Sequence, residues 1–124
     1  MAVDKGSATV CLLDDDDAML KSTQRLLSGE GWRVQTFLDP HEFLAYSETY
    51  KPGVVVLDIY MPAMDGRKVQ QQLRRISPST RVIILTSSDD PSLRAQALAG
   101  GALAVFVKPA PHDDFLAAVE AAFT

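Results

Sequence analysis

The chain has one cysteine and one tryptophan in 124 residues, carries fewer cations than anions, and lacks any long apolar run. Each shortage removes a class of protein. A single thiol, Cys11, excludes an internal disulfide; lying among apolar residues, it reads as a small buried hydrophobe. No stretch approaches the roughly 20 apolar residues of a membrane-spanning helix. Residues 1–8 lack the basic segment and apolar centre of a secretory signal. Twelve Lys and Arg against 16 Asp and Glu leave a net charge of -4, which provides no electrostatic footprint for nucleic acid or an anionic membrane. No linker or repeat interrupts the pattern. The expectation is therefore one globular domain over residues 1–124, cytoplasmic, with no output domain within these residues and no nucleic acid or membrane bound by the domain itself.

What the chain does have is concentrated around residues 54–66. Val54, Val55, Val56 and Leu57 run straight into Asp58, and a turn marked by Pro62 and Gly66 follows. A continuous β-branched run reads as a strand buried on both faces of a parallel sheet. A carboxylate just past its carboxyl end sits where open α/β sheets place their ligands.

The rest of the chain repeats this unit. Strands are expected over residues 9–13, 32–37, 54–57, 81–85 and 103–107. Helices are expected over 18–28, 66–76, 91–100 and 113–123, with a short one opening at Asp39-Pro40 and carrying Phe43 and Leu44. Asp16 or Asp17 can cap the first helix, with Met19, Leu26 and Leu27 on its apolar face. Five strand–helix units in strict alternation predict an α/β fold: a (βα)5 doubly wound, five-stranded parallel sheet in the flavodoxin-like order 2-1-3-4-5. The crevice of such a sheet lies between strands 1 and 3.

The polar residues then converge. The first strand ends in Asp14, Asp15, Asp16 and Asp17, the third in Asp58, the fourth in Thr86 and Ser87, and the fifth in Lys108-Pro109. Each cluster has an ordinary explanation. An Asp run before a helix is commonly a solvated cap, Thr86 can cap the following helix, and a lysine at a strand end commonly snorkels into solvent. Asp65 before Gly66 reads as turn chemistry alone. All four clusters, however, fall on one rim of the sheet, and chance serves poorly for that.

Such a rim suits phosphoryl chemistry. Asp14, Asp15 and Asp58 form an all-oxygen set fitted to Mg²⁺ or Mn²⁺. Lys108 supplies a point charge and the Thr86 hydroxyl a donor to phosphoryl oxygens, with Asp58 as a carboxylate nucleophile.

These residues are those of a known family. Leu13-Asp14-Asp15, the run Asp58 to Gly66 in the pattern D-x-x-M-P-x-M-D-G, Thr86 and Lys108-Pro109 together resemble the receiver domain of two-component response regulators, over about residues 8–122. The resemblance implies that Asp58 accepts phosphate from the phosphohistidine of a sensor histidine kinase or histidine phosphotransfer protein. It implies Mg²⁺ held by Asp15, Asp58 and the Tyr60 backbone carbonyl, with Asp14 acting largely through water. It implies a signalling switch rather than a turnover enzyme, working through the face of helix 4, strand 5 and helix 5 on an output domain, a partner or a second copy. The Lys108-Pro109 bond is expected to be cis.

One position departs from the family pattern. An aromatic residue is common three places before the lysine, and that place holds Val105. Phe106 is one residue late and is expected on the opposite face, in the core. Valine has no ring to rotate and a stiff χ1, which puts the usual aromatic relay in doubt. Two alternatives compete with the receiver reading. An aspartate-dependent phosphatase resembling the haloacid dehalogenases would need a second acid at position 60, where Tyr60 stands. A receiver-like scaffold that never takes phosphate would be expected to have lost Asp58 or Lys108, and both are present.

Overall fold

A computed structural model describes residues 4–124; Met1, Ala2 and Val3, within the stretch that lacks the pattern of a secretory signal, lie outside the described residues. The chain alternates β1 (Thr9–Leu13), α1 (Asp17–Gly29), β2 (Arg33–Phe37), α2 (Pro40–Tyr50), β3 (Val54–Leu57), α3 (Gly66–Ile76), β4 (Arg81–Thr86), α4 (Pro91–Ala99), β5 (Ala104–Val107) and α5 (His112–Ala122). All strand pairs are parallel and the order is β2-β1-β3-β4-β5. Among the described residues no helix is long and apolar enough to cross a membrane.

The period of two along each strand divides the core into two layers. Val10, Leu12, Val54, Val56, Ile83 and Leu85 pack with Leu20 and Leu27 of α1 and Phe115 and Val119 of α5. Cys11, Leu13, Val55, Leu57, Val82, Ile84 and Val105 pack with Phe43 of α2, Val69 and Leu73 of α3 and Leu93 and Ala97 of α4. Helices therefore cover both faces, as parallel sheets require. Burial pushes the Cys11 thiol up to about 12, which fits the reading of it as a core hydrophobe.

Local signals explain where the helices begin. The side chains of Asp16, Asp39, Asp65 and Asp90 each accept an amide of the first turn of α1, α2, α3 and α4. Pro40 and Pro91 occupy first-turn positions, where a missing amide costs nothing. Several element ends fall one residue from expectation, β2 starting at Arg33 and β4 ending at Thr86 among them, and the apolar face of α1 is shifted. α1 buries Leu20, Thr23 and Leu27, with Met19 and Leu26 partly buried at the margins of the same face. Leu103 lies just outside β5 and is exposed, although its amide already donates to Val82 O of β4. α5 starts at His112 after Pro111, without a side-chain cap.

Candidate phosphoacceptor site

Each strand-end residue is fixed by a backbone bond to the neighbouring strand. The Asp14 amide donates to Phe37 O at 3.2 Å, the Asp58 amide to Leu13 O at 3.0 Å, and the Lys108 amide to Thr86 O at 2.7 Å. The ladder thus extends one residue past β1, β3 and β5, and the side chains there are aimed by the sheet rather than by a free loop. Gly66 completes the floor: its amide donates to Ile59 O at 2.8 Å, and α3 starts directly against the Asp58 peptide.

Three carboxylates meet here. Oxygens of Asp14, Asp15 and Asp58 lie within 4.8 Å of one another; Asp14 and Asp58 are buried and Asp15 is exposed. Lys108 reaches across from β5, with Nζ 2.7 Å from Asp14 Oδ2 and 3.8 Å from Asp58 Oδ2. The direct ion pair is thus with Asp14. Its other oxygen, Oδ1, accepts the Asp16 amide at 3.0 Å. Asp58 Oδ1 is buried with no hydrogen-bond partner among the described residues. Burial pushes the Asp58 carboxyl up to about 6; the Lys108 ammonium pulls it down, and the Asp14 and Asp15 charges push it further up. An unpartnered carboxylate oxygen beside two like charges is a costly arrangement. A cation among these oxygens relieves it, so the donor set fits a divalent ion with oxygen ligands.

The remaining residues are placed as follows. Tyr60 lies two residues past Asp58 on the rim, its side chain half exposed. Thr86 is fully buried at the end of β4. Strand alternation gives it the parity of Ile84, toward the α2–α4 layer, whereas Asp14 and Asp58 continue the parity of the α1/α5 layer. Its hydroxyl oxygen accepts the Ser88 amide at 3.3 Å. Thr86 therefore stands beside the acids without bonding to them. Val105 is buried and pairs with Ile84, while Phe106 faces the other layer and packs edge-on against Phe115 with centroids 5.8 Å apart. The Lys108-Pro109 bond is cis. Asp65 is the α3 cap, accepting the Arg67 amide at 2.8 Å and pairing with its guanidinium at 2.7 Å.

Two site features were not read from the sequence. The Lys108–Asp14 pair depends on side-chain reach across the sheet, which spacing does not encode. The close approach of Gly66 to Asp58 is hidden because a glycine after Asp is also an ordinary turn residue.

A doubly wound parallel sheet with three acids and a lysine at its switch point defines a signalling receiver architecture. A sequence model described as the response regulator receiver domain matches residues 10–120, and the chain belongs to that family. It is 35% identical over 117 residues to the tetrathionate response regulatory protein TtrR of Salmonella typhimurium, covering 94% of this chain and 57% of that protein. The chain spans about half the length of the curated relatives it matches. Among solved structures, a CheY-like response regulator receiver domain protein of Methanospirillum hungatei matches with a TM-score of 0.87 at 27% identity, covering 94% of this chain and 93% of that one. The CheX-CheY-BeF3-Mg+2 complex from Borrelia burgdorferi matches with a TM-score of 0.87 at 26% identity, covering 94% and 90%.

Proposed function

We propose that this receiver domain is a phosphorylation-dependent switch in which Asp58 takes a phosphoryl group from the phosphohistidine of a sensor histidine kinase or histidine phosphotransfer protein. The observation that carries the reading is the buried, unpartnered Oδ1 of Asp58, flanked by Asp14 and Asp15 and faced by the Lys108 ammonium. A carboxylate titrating near 6 is largely anionic at neutral pH and available as a nucleophile. One Asp58 oxygen forms a bond to phosphorus, the P–N bond of phosphohistidine breaks, and its electron pair returns to the imidazole. The product is an acyl phosphate and the residues are regenerated by its hydrolysis, so the domain acts on itself rather than turning over a substrate pool.

Asp14, Asp15, Asp58 and the Tyr60 backbone carbonyl would hold Mg²⁺ or Mn²⁺. That ion supplies positive charge against the phosphoryl oxygens. Lys108 is placed to exchange part of its interaction with Asp14 for a phosphoryl oxygen, and Thr86 contributes its hydroxyl once it turns toward Asp58. Phosphorylation replaces one charge by roughly two and adds strong acceptors at the rim. The α4–β5–α5 face, where Leu98, Leu103 and Val107 are exposed, is read as the surface whose affinity for an output domain, a partner or a second copy then changes. The domain is read as cytoplasmic, where such donors work.

Mg²⁺-dependent labelling by acetyl phosphate tests the assignment. Intact-mass analysis is expected to find one phosphoryl group on the wild type and none on Asp58→Asn; labelling that survives the substitution removes Asp58 from the role.

A further inference from the structure

The cations of the chain are unevenly spread. From Gly66 to Ser88 there are five, Arg67, Lys68, Arg74, Arg75 and Arg81, and no Asp or Glu, in a chain of net charge -4. Among the described residues, Lys5, Lys21, Lys51, Arg67, Arg94 and Lys108 each hold a partner: an acid, a backbone carbonyl or the Trp32 ring. Of the six cations that hold none, Lys68, Arg74, Arg75 and Arg81 fall in this one segment, and all four are exposed. Helix electrostatics explain only part of the pattern. Arg74 and Arg75 stand in the last turn of α3, where the helix dipole favours a cation; Lys68 stands in the first turn, where it does not. Arg81 opens β4 and belongs to no helix.

A groove gives these charges a shape. Arg67, Gln71, Arg74 and Gln96 line a cleft of about 220 Å³ between α3 and α4. Past Arg74 and Gly100 it continues into a cavity of about 370 Å³ bordered by Ser79 and Arg81. No acid lines either part, and the cleft has no large apolar side chain, so an apolar helix has nothing to bury there. Like charges disfavour a two-fold contact of α3 with the α3 of a second copy. The anion that fits is short. Asp65 and Asp90 cap α3 and α4 at one end and would repel a polyanion running on past them. Arg67 and Arg74 are seven residues apart on one helix, about 10 Å, which is the length of roughly three residues of extended peptide.

We propose that the α3–α4 groove is a docking site for a short acidic segment of a partner protein, which places carboxylates on Arg74 and Arg81 and its main chain against the Gln71 and Gln96 amides. Arginine suits the role, because its planar fork meets a carboxylate through two hydrogen bonds. The groove uses none of the acids at the sheet rim. The inference therefore does not rest on the phosphoacceptor reading and survives its failure.

Fluorescence anisotropy of a labelled hexaglutamate peptide, with the full chain and no phosphodonor, is the test. Saturable binding is expected at about 50 mM salt and is expected to weaken several-fold at about 200 mM. Arg74→Gln and Arg81→Gln are each expected to weaken it about tenfold, the scale of one lost charge-assisted pair. Arg25→Gln removes an exposed, unpaired cation of α1 and is expected to stay within about twofold of the wild type. In ¹⁵N NMR the backbone amides of Gln71, Gln96 and Gly100 are expected to shift along the same titration. Equal losses in Arg25→Gln and Arg74→Gln would mean attraction by overall charge rather than a site, and overturn the proposal. No saturable binding at the lower salt does the same. A short DNA duplex that binds more tightly than the peptide through the same arginines assigns the groove to nucleic acid and overturns the proposal. Self-association of the chain that these arginine variants abolish, read by sedimentation, assigns it to a second copy with the same result.

Discussion

Lys108 Nζ lies 2.7 Å from Asp14 Oδ2, an ion pair between residues 94 apart in sequence that closes the site from β5 to β1. The lysine is mostly buried, and its nearer partner is Asp14 rather than the proposed phosphoacceptor Asp58. One cation therefore serves two buried carboxylates.

Removing that cation exposes the imbalance. In Lys108→Ala the Asp58 carboxyl loses the charge that pulls it down, so it titrates above the value of about 6 found with the lysine present. Carbon-13 NMR titration of the carboxyl reads this directly. Labelling by acetyl phosphate is expected to slow by about a hundredfold, the usual loss for one group that stabilises developing charge.

Stability should depend on pH through Asp58. An acid whose titration is raised from 3.8 to about 6 binds its proton more tightly when folded. The folded chain then carries more protons across that window, so this group's contribution to stability falls as pH rises through it and is constant above. Asp58→Asn removes the charge, while Lys108 keeps Asp14 as a partner. The variant is expected to be more stable than the wild type by about 1–3 kcal/mol near neutral pH, a gain that vanishes toward pH 4. Urea unfolding of both proteins at the two pH values tests the sign; a gain that grows in acid contradicts it.

A divalent ion should relieve the same repulsion. Mg²⁺ at ten times its dissociation constant is expected to add about 1.4 kcal/mol to unfolding free energy, reversed by chelation. Asp58→Asn or Asp15→Asn should blunt the effect. Thermal denaturation with and without the ion is sufficient.

Gly66 tolerates no side chain. A Cβ there would stand 2.5 Å from the Asp58 carbonyl oxygen and 2.7 Å from the Ile59 Cα, both backbone atoms. Gly66→Ala is expected to cost about 1–3 kcal/mol despite alanine's better helix propensity, and to slow labelling by displacing Asp58. Equal stability and labelling in the variant would show that α3 can retreat freely.

Val105→Ala should leave the labelling rate nearly unchanged, because Val105 packs beneath α4 and away from the acids. The cost is a small cavity, about 1–2 kcal/mol. A large fall in rate would place position 105 in the chemistry.

The fold was legible because periodicity marks every element: the run from Val54 to Leu57 is a strand buried on both faces, and α1 and α2 start on the aspartates the pattern offers. The caps of α3 and α4 are less plain, since Asp65 reads as a turn residue and Thr86 stands in for Asp90 as the candidate cap. The site was legible as a set of strand ends. Its internal pairings were not. That Lys108 chooses Asp14, and that Thr86 points toward the α4 layer, follow from register and parity of neighbouring strands rather than from any local motif.

Cys11 sits in the central layer of the sheet, fully enclosed, its thiol reluctant to ionise. An alkylating reagent can therefore reach it only when β1 opens. The sole sulfhydryl of the molecule becomes an intrinsic clock for unfolding, so its rate of modification with and without a phosphodonor would measure how much kinetic protection signalling confers on the whole fold.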